Sequence, residues 1–476
     1  MLLSPSCRKS MDLSEDDLSK TDSSSTIDPS DTTDDVATFT GSYNIAISYS
    51  GTTASIVITD TLGNTLTSID SLEITTSGAG VTINNLGHST IHYTLSGSST
   101  AGFFKLYSPS RQVIELSDLT LTGMGGAAIN NQSDKRTYIV LTGSLTASST
   151  GAGIYDTEEK DIDAASSLKC DGDFIMGGGS LTASATGAGG KGISIGGKAS
   201  FNGGSVTATA SGSNRFYVSS KYSDMTSNYE RYKTYPHSFA KAIKCDGAIV
   251  VQGEAYVYGK SAAHEGITCD GTWTQDGGTV IAEAYDDAVN SAGVVTVSDG
   301  YLRGTSSNND GIDANAAINI SGGVVIGEGA SQPECGIDSV EGTSVTVNGG
   351  YVISRGGSIN SFVTTSSKAF VQTTTSANAK VGLVSGSTQI LAYQAPSSGG
   401  TQTLFCTPEM TANSSYTLYT GVSSITEQNA DFTRFGTSFT GGSSGSSLTA
   451  SSSAGSSGPG GGGSGGGGWP GGGGRP

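Results

Sequence analysis

Apolar residues along this chain recur once per short strand, and the strands recur as a set. Between Lys241 and Arg355 one pattern is repeated five times: an apolar anchor, a polar residue, a small one, Asp or Asn with Gly, a strand, then a Gly-containing turn and another strand. The anchors are Ile243, Ile267, Val289, Ile312 and Ile337, spaced 22 to 25 residues apart. Turn glycines keep the same rhythm at Gly277–Gly278, Gly300, Gly322–Gly323 and Gly349–Gly350. A fixed period of this length is the mark of a solenoid, in which each repeat buries its apolar face only against its neighbours. Leucine-rich repeats share the period, but their leucine consensus and helix are missing here. The strand segments 278–284, 294–297 and 344–347 are short, rich in β-branched residues and bounded by Gly, Asp and Asn. The pattern therefore predicts an all-β chain, a right-handed parallel β-helix whose coils stack about 4.8 Å apart.

The periodic region predicts coils over residues 126–360, with a Tyr-rich insertion at 211–238. Residues 36–125 alternate as strands with a weaker coil signature and are expected to form an N-terminal β cap and the first coils. After Ser361 the period is lost, and 361–440 reads as a C-terminal β cap, needed because an open solenoid end is a bare sheet edge. Residues 441–476 are Gly and Ser with a lone Trp469 and read as a flexible tail. Residues 1–35 read as a leader and a solvated Ser/Thr/Asp tether. Leu2, Leu3 and Ser4 through Cys7, followed by Arg8 and Lys9, look like the end of a bacterial lipoprotein signal. That reading makes Cys7 the lipidated residue; the other reading is an accidental cysteine in a disordered leader.

Composition narrows the partners. The chain has 476 residues, 71 glycines and a formal charge of −18. So acidic a surface repels nucleic acid and anionic lipid, and repels acidic polysaccharide unless cations bridge the two. A membrane partner enters only through a lipid anchor, and a monomer is expected. Cys170, Cys245 and Cys269 share one slot of the repeat, two residues after the anchor, where Ser291, Ala314 and Ser339 stand in other coils. That slot points inward, so a column of buried free thiols is expected rather than disulfides.

Aligning the coils on the anchor exposes two outward columns. Two residues before it stand Lys191, Lys241, Glu265, Asp287 and Asp310; one residue after it stand Ser194, Lys244, Thr268, Asn290, Asp313 and Asp338. Asp286, Asn309 and Glu334 lie one residue further back. Stacking brings Glu265, Asp286, Asp287, Asn290, Asp310, Asp313, Glu334 and Asp338 to one flank, where crowded carboxylates need a counter-ion. Oxygen donors at turns suit Ca²⁺, and the lack of a His/Cys constellation speaks against zinc. Against this stands the use of Asp and Asn as turn caps, which already accounts for Asp171, Asp246, Asp270 and Asn315.

With the segments His92–Gly97, Gly102–Tyr107, Ile114–Leu116, Leu119–Thr122, Ala127–Gln132, Ala240–Lys244, His264–Ile267, Asp286–Asn290 and Asn309–Asn315 in this order, the chain resembles a known family. These are secreted bacterial, calcium-containing parallel β-helix proteins with carbohydrate-binding properties, related in fold to pectate lyases. The resemblance covers roughly residues 40 to 395. It implies a parallel β-helix, bound calcium and binding of polysaccharide, cellulose and pectic polymers included, without established cleavage. Where family members carry Asp-Gly-Ile, this chain has Glu265-Gly266-Ile267 and Glu334-Cys335-Gly336-Ile337, which sets those two coils apart as ligands.

Three functions follow as expectations. The first is a non-catalytic, calcium-dependent polysaccharide binder, secreted or held at the bacterial cell surface as a lipoprotein. The insertion would add Tyr217, Tyr222, Tyr229, Tyr232 and Tyr235, whose rings suit sugar C–H faces, with Arg231 and Lys233 for uronates. The second is a calcium-dependent pectate-type lyase, with Lys241 or Lys244 as the base that takes the C5 proton. The third is a passive surface spacer or adhesin.

Overall fold

The computed structural model describes residues 41–454 except 88, 134, 152–153, 157–160, 164–165, 217–236, 341, 365–367, 428–431 and 433. Cys7 and the insertion residues Tyr217, Tyr222, Tyr229, Arg231, Tyr232, Lys233 and Tyr235 thus lie outside the described residues. Every regular element among those described is a strand. Parallel strands stack as a β-solenoid of about 10 turns.

An eleven-strand ladder runs along one flank, from Leu72–Ser77 at one end to Ile337–Ser339 at the other. Its register follows the anchors: Leu168 lies beside Ile193, then come Ile243, Ile267, Val289, Ile312 and Ile337. All seven are buried, each contributing about 1.5–3 kcal/mol by leaving water. The inward column two residues on contains Cys170, Cys245 and Cys269, which are buried free thiols, as are Cys335 and Cys406. Burial raises the Cys245 thiol to about 12, so it behaves as a small apolar group.

The residue just before the anchor must be small. A Cβ on Gly311 would stand 2.3 Å from the Glu328 amide nitrogen and 2.6 Å from the Gly336 carbonyl oxygen. Gly266 faces the Ala288 carbonyl just as closely, at 2.6 Å. From the Ile193 coil onward, close coil-to-coil contact thus limits this position to glycine or alanine, with Gly192, Gly266, Gly311 and Gly336 in four coils and buried Ala242 and Ala288 in two.

The rest of the solenoid belongs to a 22-stranded sheet. Its long strands Ile249–Ser261, Trp273–Ala284 and Val295–Ser306 each serve two faces. They turn the corner at glycines such as Gly278 (φ 66°) and Gly300 (φ 88°), in the left-handed region that side chains avoid.

Both ends of the solenoid leave the parallel pattern. Tyr43–Ser50 pairs antiparallel with Thr53–Asp60 and parallel with Ile91–Ser99. At the other end Tyr351–Gly356 pairs antiparallel with Gln402–Cys406. The strands Lys380–Ser385, Thr388–Gln394, Ser415–Glu427 and Phe435–Thr449 close a four-stranded barrel. A buried carboxylate fastens this barrel to the coils. Glu328, 1% exposed, accepts Tyr393 Oη at 2.8 Å, Arg434 Nη1 at 3.1 Å and Thr305 Oγ1 at 2.6 Å. The boundary expected at 441 falls inside the last barrel strand. Gly and Ser there are held by pairing with Ser415–Glu427, including a Ser415–Ser447 hydroxyl contact at 2.6 Å, which overrides their low strand propensity.

Candidate functional site

The outer surface of the eleven-strand ladder carries the two columns. Ser194, Lys244, Thr268, Asn290, Asp313 and Asp338 are neighbours in register. The second column follows from the backbone bonds beside it: Gly192 N–H donates to Lys241 O, Gly266 N–H to Asp287 O and Ala288 N–H to Asp310 O. Residues some two dozen apart in the chain thus become neighbours at the inter-strand spacing. Charge along this flank is segregated, with lysines on the earlier coils and carboxylates on the later ones.

Between the two halves lies a compact ion pair. Lys241 Nζ stands 2.6 Å from Glu265 Oε2, and His264 Nδ1 stands 2.7 Å from the same oxygen. The His264 ring stacks on Phe239 at 4.0 Å, which fixes its plane, and Asp286 Oδ2 lies 3.6 Å from Nδ1. Burial alone would raise the Glu265 carboxyl, but Lys241 and then His264 outweigh it and hold it well below the ordinary range. Glu265 is therefore already neutralised by side chains of the protein. With His264 and Asp286 it forms a group whose ligand atoms all lie within 4.8 Å of one another, already engaged by Lys241. His264, unassigned from sequence, is a full member of this group. Its signal was only its place next to Glu265 in the column.

The later coils present a different arrangement. Asp310, Asp313 and Asp338 each bring a carboxylate oxygen within 4.8 Å of the others. Asn290 bridges Asp287 and Asp313, donating from Nδ2 at 3.0 and 3.1 Å. Asp287 Oδ1 accepts the Asp310 amide at 3.0 Å, and Asp310 Oδ1 accepts the Cys335 amide. The turn-capping role foreseen for Asp is thus present, yet each of these carboxylates spends only part of its acceptor capacity on it. Asp286 accepts Asn309 Nδ2 at 2.9 Å, and Asp338 accepts Asn360 Nδ2. Glu334 sits at the rim beside Cys335, which fills the slot held by Asp310 in the previous coil.

Electrostatics separates the halves further. Burial and then the Asp338 charge push Asp310 up to about 9, and burial with Asp338 pushes Asp313 up to about 7. Asp287 rises well above the ordinary range through burial and the Asp313 charge. Asp286, Glu334 and Asp338 rise as well, chiefly by burial. On the opposite half, burial and then the Lys244, Lys241 and Lys169 charges bring Lys191 down to about 7. Burial lowers Lys244, with Asp270 acting against it. Lys244 is paired with Asp246.

The residues of the Asp310 cluster fit a calcium ion. Ligand oxygens at 2.3–2.6 Å from one Ca²⁺ stand at most about 5 Å apart, which matches the 4.8 Å grouping. The donors are oxygens, mostly carboxylate, and burial followed by neighbouring like charges raises their proton affinities. Asp287 and Asn290 are one hydrogen bond away and can supply or orient further oxygens.

Comparison with family models, with curated proteins and with solved structures gave no match for this chain.

Proposed function

We propose that this protein is a non-catalytic, calcium-dependent polysaccharide binder, secreted or held at the bacterial cell surface, with cellulose-like or uronate-containing glycans as ligands. The observation that carries the reading is the grouping of Asp310, Asp313 and Asp338 oxygens on the outer face of a rigid ladder. An ion held there presents positive charge on an otherwise acidic surface, and it bridges to hydroxyl or carboxylate oxygens of a sugar chain. The resemblance to calcium-containing β-helix carbohydrate-binding proteins points the same way. The test is glycan binding by the full chain in calcium and in chelator: calcium-dependent retention supports the reading. Silence in both buffers favours a passive spacer. Replacing Tyr222, Tyr229 and Tyr232 by Ala measures what the insertion adds; unchanged retention removes it from the account.

One observation favours a lyase as the second reading: burial lowers the proton affinity of Lys244, as a general base requires. Its pairing with Asp246, and that of Lys241 with Glu265 at 2.6 Å, leave both amines engaged, which weighs toward binding. Release of unsaturated product from polygalacturonate with calcium, lost in Lys244→Met, would reverse that preference.

A further inference from the structure

In the lysine half of the stripe one amine has a hydroxyl and no carboxylate as its hydrogen-bond partner among the described residues. Lys169, Lys241 and Lys244 each have a carboxylate: Asp171 at 3.4 Å, Glu265 at 2.6 Å, and Asp246. Lys191 lies among them. Lys241 is one coil away, its carbonyl accepting the Gly192 amide at 3.2 Å. Ser194, three residues on in the same strand, stands in register between Lys169 and Lys244.

Lys191 is 8% exposed, and its Nζ donates to Ser238 Oγ at 2.7 Å. That hydroxyl in turn donates to the Gly189 carbonyl at 2.7 Å. A neutral hydroxyl is thus the partner of a buried amine near three other ammonium groups. Ser238 is itself held in place by the closing pair of the insertion, Arg215–Phe216 against His237–Ser238. A buried amine without a counter-charge holds its proton weakly; an oxyanion arriving from outside favours the charged form and gains charge-assisted hydrogen bonds. Beside it Lys169 and Lys244 reach the surface, their side chains 23% and 27% exposed, and Ser194 is half-buried.

We propose that Lys191, with Lys169, Ser194 and Lys244 around it, forms a subsite that takes the carboxylate of a uronate residue directly, with no metal ion between. The proposal rests on the polysaccharide-binding reading and gives it a ligand class. An acidic chain lying along the solenoid axis meets ammonium groups on the earlier coils and, past Glu265, a carboxylate zone that it approaches through calcium. A neutral glucan gains nothing from the first zone.

The experiment compares wild type and Lys191→Met, both full chain, for binding to polygalacturonate and to hydroxyethylcellulose in calcium and in chelator. In chelator the wild type retains salt-sensitive binding to polygalacturonate, which the substitution weakens about tenfold or more, while the neutral polymer is unaffected. Equal binding of polygalacturonate by both proteins in both buffers overturns the proposal. A wild type that binds hydroxyethylcellulose alone also overturns it, whereas one that binds neither polymer defeats the general reading instead. The subsite is then judged by acetic anhydride labelling of the wild type, read by mass spectrometry, with Lys260 as the exposed control. The same measurement decides if Lys191→Met does not fold. Slower labelling of Lys191 in galacturonic acid supports the subsite. No slowing there, or equal slowing by sulfate and phosphate, overturns the carboxylate assignment.

Discussion

Replacing Asp313 by Asn should raise stability in chelator and shrink the stabilisation that calcium gives. The folded protein holds the Asp313 proton up to about pH 7, against an ordinary value of 3.8, because of burial and the Asp338 charge. The folded state therefore binds more protons than the unfolded chain across that window, and rising pH works against it. In chelator, the stability of the wild type falls from about pH 4 upward, and the share due to Asp313 levels off above about pH 7. At about 1.4 kcal/mol per pH unit, the Asp313 share reaches roughly 4 kcal/mol as an upper bound. Asparagine carries no charge and still offers Oδ1 to the Asn290 amide, so the variant recovers stability near pH 8 in chelator. Calcium narrows the gap. At a hundredfold excess over its dissociation constant the ion stabilises the wild type by about 2.7 kcal/mol, and the variant, short of one ligand, gains less. Denaturant titrations near pH 5 and pH 8, each with calcium or chelator, provide the four comparisons. A variant less stable than wild type in chelator near pH 8, or one that gains as much from calcium, would refute the reasoning.

Other outcomes follow from the same geometry. Gly311→Ala places a methyl group 2.3 Å from the Glu328 nitrogen and should cost about 1–3 kcal/mol or more; Gly177→Ala, with nothing within 4 Å, is the control for the denaturation midpoint. Lys241→Met leaves Glu265 with only His264 and should destabilise by about 3 kcal/mol at neutral pH. Because the folded-state value of Glu265 is depressed, that loss should shrink as pH falls below its ordinary 4.5. Glu328→Gln breaks the fastening of the barrel to the coils, and faster amide exchange in Thr388–Gln394 with little change in Ile267–Cys269 is the expected readout.

Much of the fold could be read from the chain because a solenoid converts distance in sequence into position along an axis. Once the anchors from Ile243 to Ile337 were aligned, the neighbours Asn290, Asp313 and Asp338 followed from strand spacing alone, as did the inward thiols. Other features depended on contacts with no period. The Glu328–Arg434 pair joins residues 106 positions apart, and the last barrel strand is written in Gly and Ser, which taken locally read as linker. The commitment of Glu265 to Lys241 and His264 is a matter of side-chain direction. The isolation of Lys191 depends on Ser238 being delivered by the base of an aperiodic insertion. Alignment places side chains in one column, but it does not say which of them neutralise each other.

The most direct test is a crystal structure of the full chain grown with calcium, with anomalous scattering used to locate the ion. The account predicts a peak ligated by Asp310, Asp313 and Asp338, with Asp287 or Asn290 nearby and Glu265 still bound to Lys241. A well-ordered ladder with no peak at that place, its carboxylates bonded only to one another and to backbone amides, would contradict it.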